Sequence, residues 1–201
     1  MGEKQVFQPL TREDKITVVL YRIGIVLSAI IMSGLAYILA TASTGSVPAG
    51  SIRPADLLAY GLYASVGMSV FFIHLYIRKF HTFLKNLFYL SLAGLAVLIF
   101  IGKGSPSGGI LQAPYGALLL LPLSGCLGFV TAKEAFCFKL FEGYLLAMIM
   151  PLYLLLISIG SLKGRGASYG LALIAAMLVV FTLRKVFMPA AYDIGDKSAY
   201  R

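Results

Sequence analysis

Charge is scarce in this chain. Only 12% of its 201 residues are Asp, Glu, Lys or Arg, about half the share of a typical soluble domain. With 59% apolar residues, no length is left over for a separate soluble domain. None of the eight acidic residues sits in the middle of a long apolar run, so the chain lacks the mid-membrane carboxylate of most proton- or cation-coupled carriers. Backbone carbonyls and hydroxyls can still line a path, so transport stays open. There are two cysteines. Cys126 lies inside an apolar run and Cys137 in a joint, which excludes an extracytoplasmic disulfide framework. No H-E-x-x-H, P-loop, GxGxxG or CxxC pattern occurs, so the familiar metalloprotease, nucleotide and thiol-redox motifs are missing. Tryptophan is absent, and interfacial anchoring falls to Tyr21, Tyr76, Tyr144 and Tyr192.

What the chain does have is six long apolar stretches, beginning near Ile16, Leu57, Leu84, Ile110, Tyr144 and Ala167. Each reaches the roughly 20 residues that a bilayer-crossing helix requires. The expected fold is all-α: a polytopic six-helix transmembrane bundle forming one integral membrane domain over residues 1–201, with a polar N-terminal segment 1–15 and a cytoplasmic tail 188–201. Its surroundings are then the lipid bilayer of a bacterial inner membrane or a thylakoid-type membrane.

The net charge of +9 would suggest nucleic acid in a soluble protein. Here the basic residues occupy joints between apolar runs, and no nucleic-acid partner is expected. Thirteen of the 17 lysines and arginines fall in the N-terminal segment with Arg22, the second and fourth joints, and the tail; four fall on the other side. Positive charge is retained in the cytoplasm, so both termini are expected there. A basic inner face also favours anionic lipids. Ala40-Thr41-Ala42 looks like a signal-cleavage site, but the run from Ile23 to Ala40 is too long for a signal core, and an uncleaved first span is expected.

Along the chain, Thr11 and Asp14 have capping-box spacing. Arg22 enters the first apolar run and is expected to snorkel to the headgroups, the sharper alternative being a salt bridge to another helix. Asp56 reads as a carboxylate favoured by the dipole in the first turn of the second helix. Gly61, Ser65 and Ser69, and again Gly166 and Gly170, form small-residue stripes for close helix packing. Pro122 and Pro151 lie inside the fourth and fifth runs and are expected to kink them. No clear internal repeat emerges.

Two clusters hold residues capable of chemistry. His74 and His81, the only histidines, are expected at the end of the second helix, seven residues apart and on nearly one face, with Arg78 between them. Imidazole can hold a metal, a haem or a chlorophyll-type magnesium, or relay protons. Two ligands about 10 Å apart on a straight helix cannot share one ion, so a shared site needs a third element or a break in the helix. The other reading is a basic helix end with two hydrogen-bonded histidines. The second cluster is Lys133-Glu134-Ala135-Phe136-Cys137-Phe138, followed by Glu142. Thr131 and Glu134 again have capping-box spacing, so a short interfacial helix is expected, with Phe136, Phe138 and Phe141 dipping into lipid and Lys133 and Lys139 at the headgroups. Cys137 reads as a thiolate ligand or redox thiol, or as a small apolar residue in an aromatic turn. Topology permits a mixed site of Cys137, Glu134 and His74 or His81.

Ile73-His74-Leu75-Tyr76 with His81, Lys133-Glu134-Ala135-Phe136-Cys137-Phe138, Leu183-Arg184-Lys185 and Asp193-Ile194-Gly195-Asp196-Lys197-Ser198 follow one another in an order that resembles an uncharacterised integral membrane protein family, the domain of unknown function 2301, common in cyanobacteria. The resemblance covers nearly the full chain, but the intervening spans match only in hydrophobicity, and the Gly-rich central loops differ. It implies no activity; it points to a role near photosynthetic or respiratory complexes. Two function classes follow. One is a non-catalytic factor that binds or helps to assemble a membrane complex with other membrane proteins, with a pigment or haem on His74. The other is a small-solute or ion transporter or channel. A membrane enzyme using Cys137 lacks an identifiable base. No particular cofactor is specified.

Overall fold

The structure is a computed structural model that describes residues 11–43, 52–75, 77–113, 115–189 and 193. The described residues form seven α-helices: α1 (Arg12–Ser43), α2 (Ile52–Phe72), α3 (Arg78–Ile101), α4 (Pro106–Gln112), α5 (Leu121–Phe138), α6 (Phe141–Ser158) and α7 (Arg165–Val186). A 3-10 turn, Gly116–Leu120, leads into α5. Six segments are long and apolar enough to span a membrane: α1, α2 from Arg53, α3, the 3-10 turn with α5, α6 and α7. The six-span bundle expected from the sequence is therefore present.

α1 has 32 residues and rises about 48 Å at 1.5 Å per residue, more than a hydrocarbon core of about 30 Å. Its start is closed by the expected reciprocal cap: the Thr11 N–H donates to Asp14 Oδ2 at 2.8 Å and the Asp14 N–H to Thr11 Oγ1 at 3.3 Å. α1 packs along α2 on one side and α7 on the other, α5 packs on α6, and α3 on α4 and α5. The small stripe of α2 meets α1. Ser65 and Ser28 hydroxyls lie 2.9 Å apart, and a Cβ on Gly24 would stand 2.4 Å from Ser69 Oγ and 2.7 Å from the Ser65 carbonyl oxygen. Only glycine lets the backbones come this close.

Ile25, Val66, Val70, Leu84, Leu146, Ile174, Leu178 and Phe181 fill the interior. Large apolar side chains also cover the outside, Phe100 being 87% exposed. Such a surface would be costly in water; in a bilayer it is what faces the lipid.

Several local expectations are corrected. α2 ends at Phe72 and α3 starts at Arg78, so the turn comes before the basic residues, once α2 has already risen about 31 Å and crossed a membrane's thickness. His74 and His81 consequently do not share one helix. The Lys133–Phe138 run is no separate interfacial helix but the last turns of α5. Thr131 hydrogen-bonds back to the Gly128 carbonyl at 3.0 Å instead of capping, and the helix stops where Lys139 takes a left-handed conformation at φ 55°. Pro122 falls in the first turn of α5, where a missing N–H breaks no helical bond of α5, at the switch from the 3-10 turn within the fourth span; Pro151 is inside α6. The fourth span begins at Gly116, after α4, and not near Ile110. Asp56 lies past the first turn of α2 and accepts the Ser107 N–H of α4 at 2.8 Å, serving a neighbouring helix start.

Candidate functional site

Six crossings bring the start of α1, the end of α2, the starts of α3 and α6, and the ends of α5 and α7 to one end of the bundle. There the chain buries a network of charge. Tyr21 and Arg22 come from α1, Lys133 and Glu134 from α5, Lys185 from α7, and Asp193 from eight residues further on. Glu134 and Lys185 are both 0% exposed. Tyr21 is buried and donates its hydroxyl to Glu134 Oε1 at 2.7 Å. Lys133 reaches the same oxygen at 2.8 Å. Lys185 pairs with Glu134 Oε2 and also with Asp193 Oδ1. Arg22 grips the other Asp193 oxygen, Nε at 2.8 Å and Nη2 at 2.6 Å, and donates from Nη1 to the Val186 carbonyl at 3.0 Å. Aromatic faces complete the enclosure: Phe138 lies 4.0 Å from Lys185 Nζ and Tyr21 5.8 Å from Lys133 Nζ.

Lys185 is the hinge of this arrangement, because it alone touches both carboxylates. Taking ions out of water costs several kcal/mol each, which only close partners offset. Each carboxylate here has two cations, and the network sums to one positive charge from Arg22, Lys133, Lys185, Glu134 and Asp193.

Three expectations change accordingly. Arg22 does not snorkel free to the headgroups; it takes the salt-bridge alternative, with its carboxylate partner on the segment after α7. Tyr21 is no interfacial anchor, since its ring is buried and its hydroxyl is committed to Glu134. Phe138 turns inward beneath Lys185, whereas Phe136 and Phe141 are exposed as expected. Glu142 pairs with Arg184 at 2.6 Å, bridging α6 and α7 at the outer edge. Tyr76, Tyr192 and residues 194–198 lie outside the described residues.

His74 sits in the connection after α2, its Nε2 3.3 Å from Thr17 Oγ1 and its Nδ1 buried without a partner among the described residues. Burial, aided by the positive charge of Lys133, lowers its pKa from the ordinary histidine value. His81 lies in the first turns of α3 and buries an unpartnered Nε2. Arg78 is exposed at the start of α3. Cys137 is exposed and Cys126 buried. Among the described residues, no three His, Cys, Asp or Glu side chains come together to hold a metal ion. Glu134, the proposed partner of Cys137 in a metal site, already has both oxygens taken by Tyr21, Lys133 and Lys185. The structure thus brings Lys133, Glu134 and Arg22 into one network, sets Cys137 and His74 at the same bundle end, and places Glu142 at its rim. Tyr21, Lys185 and Asp193 were not among the expected site residues.

Six membrane-length helices with lipid-type exteriors and a buried ionic network at one end define a polytopic helical integral membrane protein. A family described as uncharacterized integral membrane protein (DUF2301) matches residues 68–201, and the chain belongs to that family. The match begins within α2 and takes in His74, Lys133, Glu134, Lys185 and Asp193. It leaves out α1, which supplies Tyr21 and Arg22. No curated protein matches the chain, and no solved structure does.

Proposed function

We propose that the protein is a non-catalytic membrane factor that binds or helps to assemble a larger membrane complex, photosynthetic or respiratory. The observation that carries this reading is the closed ionic network. Its cations and carboxylates are spent on one another, tying α1, α5, α7 and the segment at Asp193 together. A bundle locked in this way suits a rigid docking platform better than a carrier that must rock between two states. The apolar exteriors of its helices offer surfaces for other membrane proteins, and the basic joints favour anionic lipids. The positive-inside rule supports cytoplasmic termini in an inner or thylakoid-type membrane. A pigment or haem on His74 belongs to the same reading.

The test is purification of the tagged chain in mild detergent, with an absorbance spectrum and quantification of co-purifying proteins. A defined membrane complex recovered in fixed stoichiometry is the expected result. A monodisperse, colourless protein without partners would refute the assembly reading. Reporter fusions at Lys103 and at the C-terminus should report opposite sides of the membrane; the same side for both would overturn the topology.

One observation favours transport as the second reading: ionisable groups buried within membrane spans are often parts of an ion or proton path. Flux across proteoliposomes containing the purified chain, abolished by Lys185→Met, would establish it.

A further inference from the structure

Away from the ionic network, α2 carries an open apolar groove of about 690 Å³, lined by Tyr63, Ala64, Gly67, Met68 and Phe71 and walled on the α3 side by Phe88. Gly67 lets the Phe88 ring press against α2, where a Cβ would stand 2.6 Å from it. From Phe71 at the rim to Tyr63 at the deep end is eight residues, about 12 Å along the helix. One leaflet of a hydrocarbon core about 30 Å thick is about 15 Å deep. The groove therefore has the reach of an acyl chain entering from one headgroup layer and stopping short of the midplane.

Its rim is cationic. Lys85 Nζ lies over the Phe71 ring, 5.7 Å from the centroid. Arg78, His81, Lys85 and Phe88 recur at spacings of three and four, which puts them along one face of α3. Phe88 is the apolar floor of that ladder, and Lys85 and Arg78 are its charged rungs toward the bundle end. Neither cation has a salt-bridge partner among the described residues, unlike Arg22, Lys133, Arg184 and Lys185. An apolar slot one leaflet deep beneath two uncommitted cations is complementary to a lipid with an anionic headgroup.

We infer that the α2–α3 groove is a specific site for one anionic phospholipid, with an acyl chain along Phe71, Met68, Ala64 and Tyr63 and the phosphate between Lys85 and Arg78. The site stands apart from the assembly reading: it needs only that the chain sits in a bilayer, and either idea can fail without the other. A cation near an anionic lipid contributes about fivefold in affinity, so Lys85 and Arg78 together give a preference of roughly 25-fold over a zwitterionic lipid.

Native mass spectrometry of the detergent-purified full chain, titrated with phosphatidylglycerol or phosphatidylcholine, reads this directly. The expected result is one phosphatidylglycerol retained in preference to phosphatidylcholine. Lys85→Gln, a partly exposed position outside the core, should reduce that retention about fivefold. Ala64→Trp fills the groove from an exposed position and should abolish retention of the single bound lipid while the variant's own lipid-free mass keeps the narrow charge-state distribution of a folded protein. Equal retention of both lipids, or a Lys85→Gln protein that binds as wild type, overturns the inference. If Ala64→Trp fails to fold, Lys85→Gln with Arg78→Gln decides, and loss of preference there is required. A dimer mass that excludes lipid would show a second copy in the groove and equally refute it.

Discussion

Replacing Glu134 by glutamine keeps the shape of the side chain and an oxygen for the Tyr21 hydroxyl, but removes one of the two carboxylates from the buried network. Lys133 and Lys185 then face each other across a neutral amide, and Asp193 alone opposes Arg22, Lys133 and Lys185. The network rises from one positive charge to two, in a place where Glu134 and Lys185 are fully shielded from solvent. Breaking a buried pair by removing one partner costs about 3–5 kcal/mol. At about 2–4 °C per kcal/mol for a chain of this size, that is a fall on the order of 10 °C in melting temperature. Lys185→Met removes a cation instead. Lys133 still holds Glu134 and Arg22 still holds Asp193, so the network becomes neutral and the cost should fall below that of Glu134→Gln. The double variant returns to one positive charge and should be more stable than Glu134→Gln alone by about 1–2 kcal/mol, a coupling that a double-mutant cycle isolates. Thermal unfolding in detergent, followed by intrinsic tyrosine signal or thiol exposure at Cys126, gives the order. If Glu134→Gln melts no lower than Lys185→Met, or if the double variant is worse than Glu134→Gln, charge balance does not govern this network.

Three further outcomes are expected. Gly24→Leu should destabilise the α1–α2 contact by about 1–3 kcal/mol, because the added side chain meets the Ser65 carbonyl and Ser69; an unchanged melting temperature would mean that the helices are not packed this closely. His74 has a lowered pKa in the folded protein, so the unfolded state takes up its proton first: stability is retained above the ordinary histidine value and declines as pH falls below it. The decline over that window should be shallower in His74→Gln, and identical pH profiles would remove His74 as its cause. Impermeant maleimide applied to inside-out vesicles should label Cys137 and spare the buried Cys126, equal labelling showing that α5 is misplaced.

The sequence by itself determined the solvent and the number of spans, while several joints between them shifted by a few residues. Apolar runs of bilayer length separated by charged or Gly-Ser-Pro segments leave few other ways to satisfy the backbone. It also carried the reciprocal Thr11–Asp14 cap, which depends on residues three apart. The ionic network was only half legible. Arg22, Lys133 and Glu134 drew attention as charges near apolar runs, yet their partners did not, because Lys185 and Asp193 read as basic edge and tail. A signal was present: Ile174, Leu178, Phe181 and Lys185 continue one buried stripe of α7, as Val18, Tyr21 and Ile25 do on α1, and a lysine or tyrosine prolonging a core stripe points inward.

Tertiary structure alone decided who pairs with whom. Tyr21 and Glu134 are 113 residues apart, and Arg22 and Asp193 171 apart. No local periodicity relates positions so distant; the order in which α1, α5 and α7 pack does. The break between His74 and His81 was likewise a matter of where α2 runs out of membrane to cross. Hydrophobicity sets which residues enter the bilayer, but a charge inside it is placed by the partners that offset its desolvation, and those partners come from other helices.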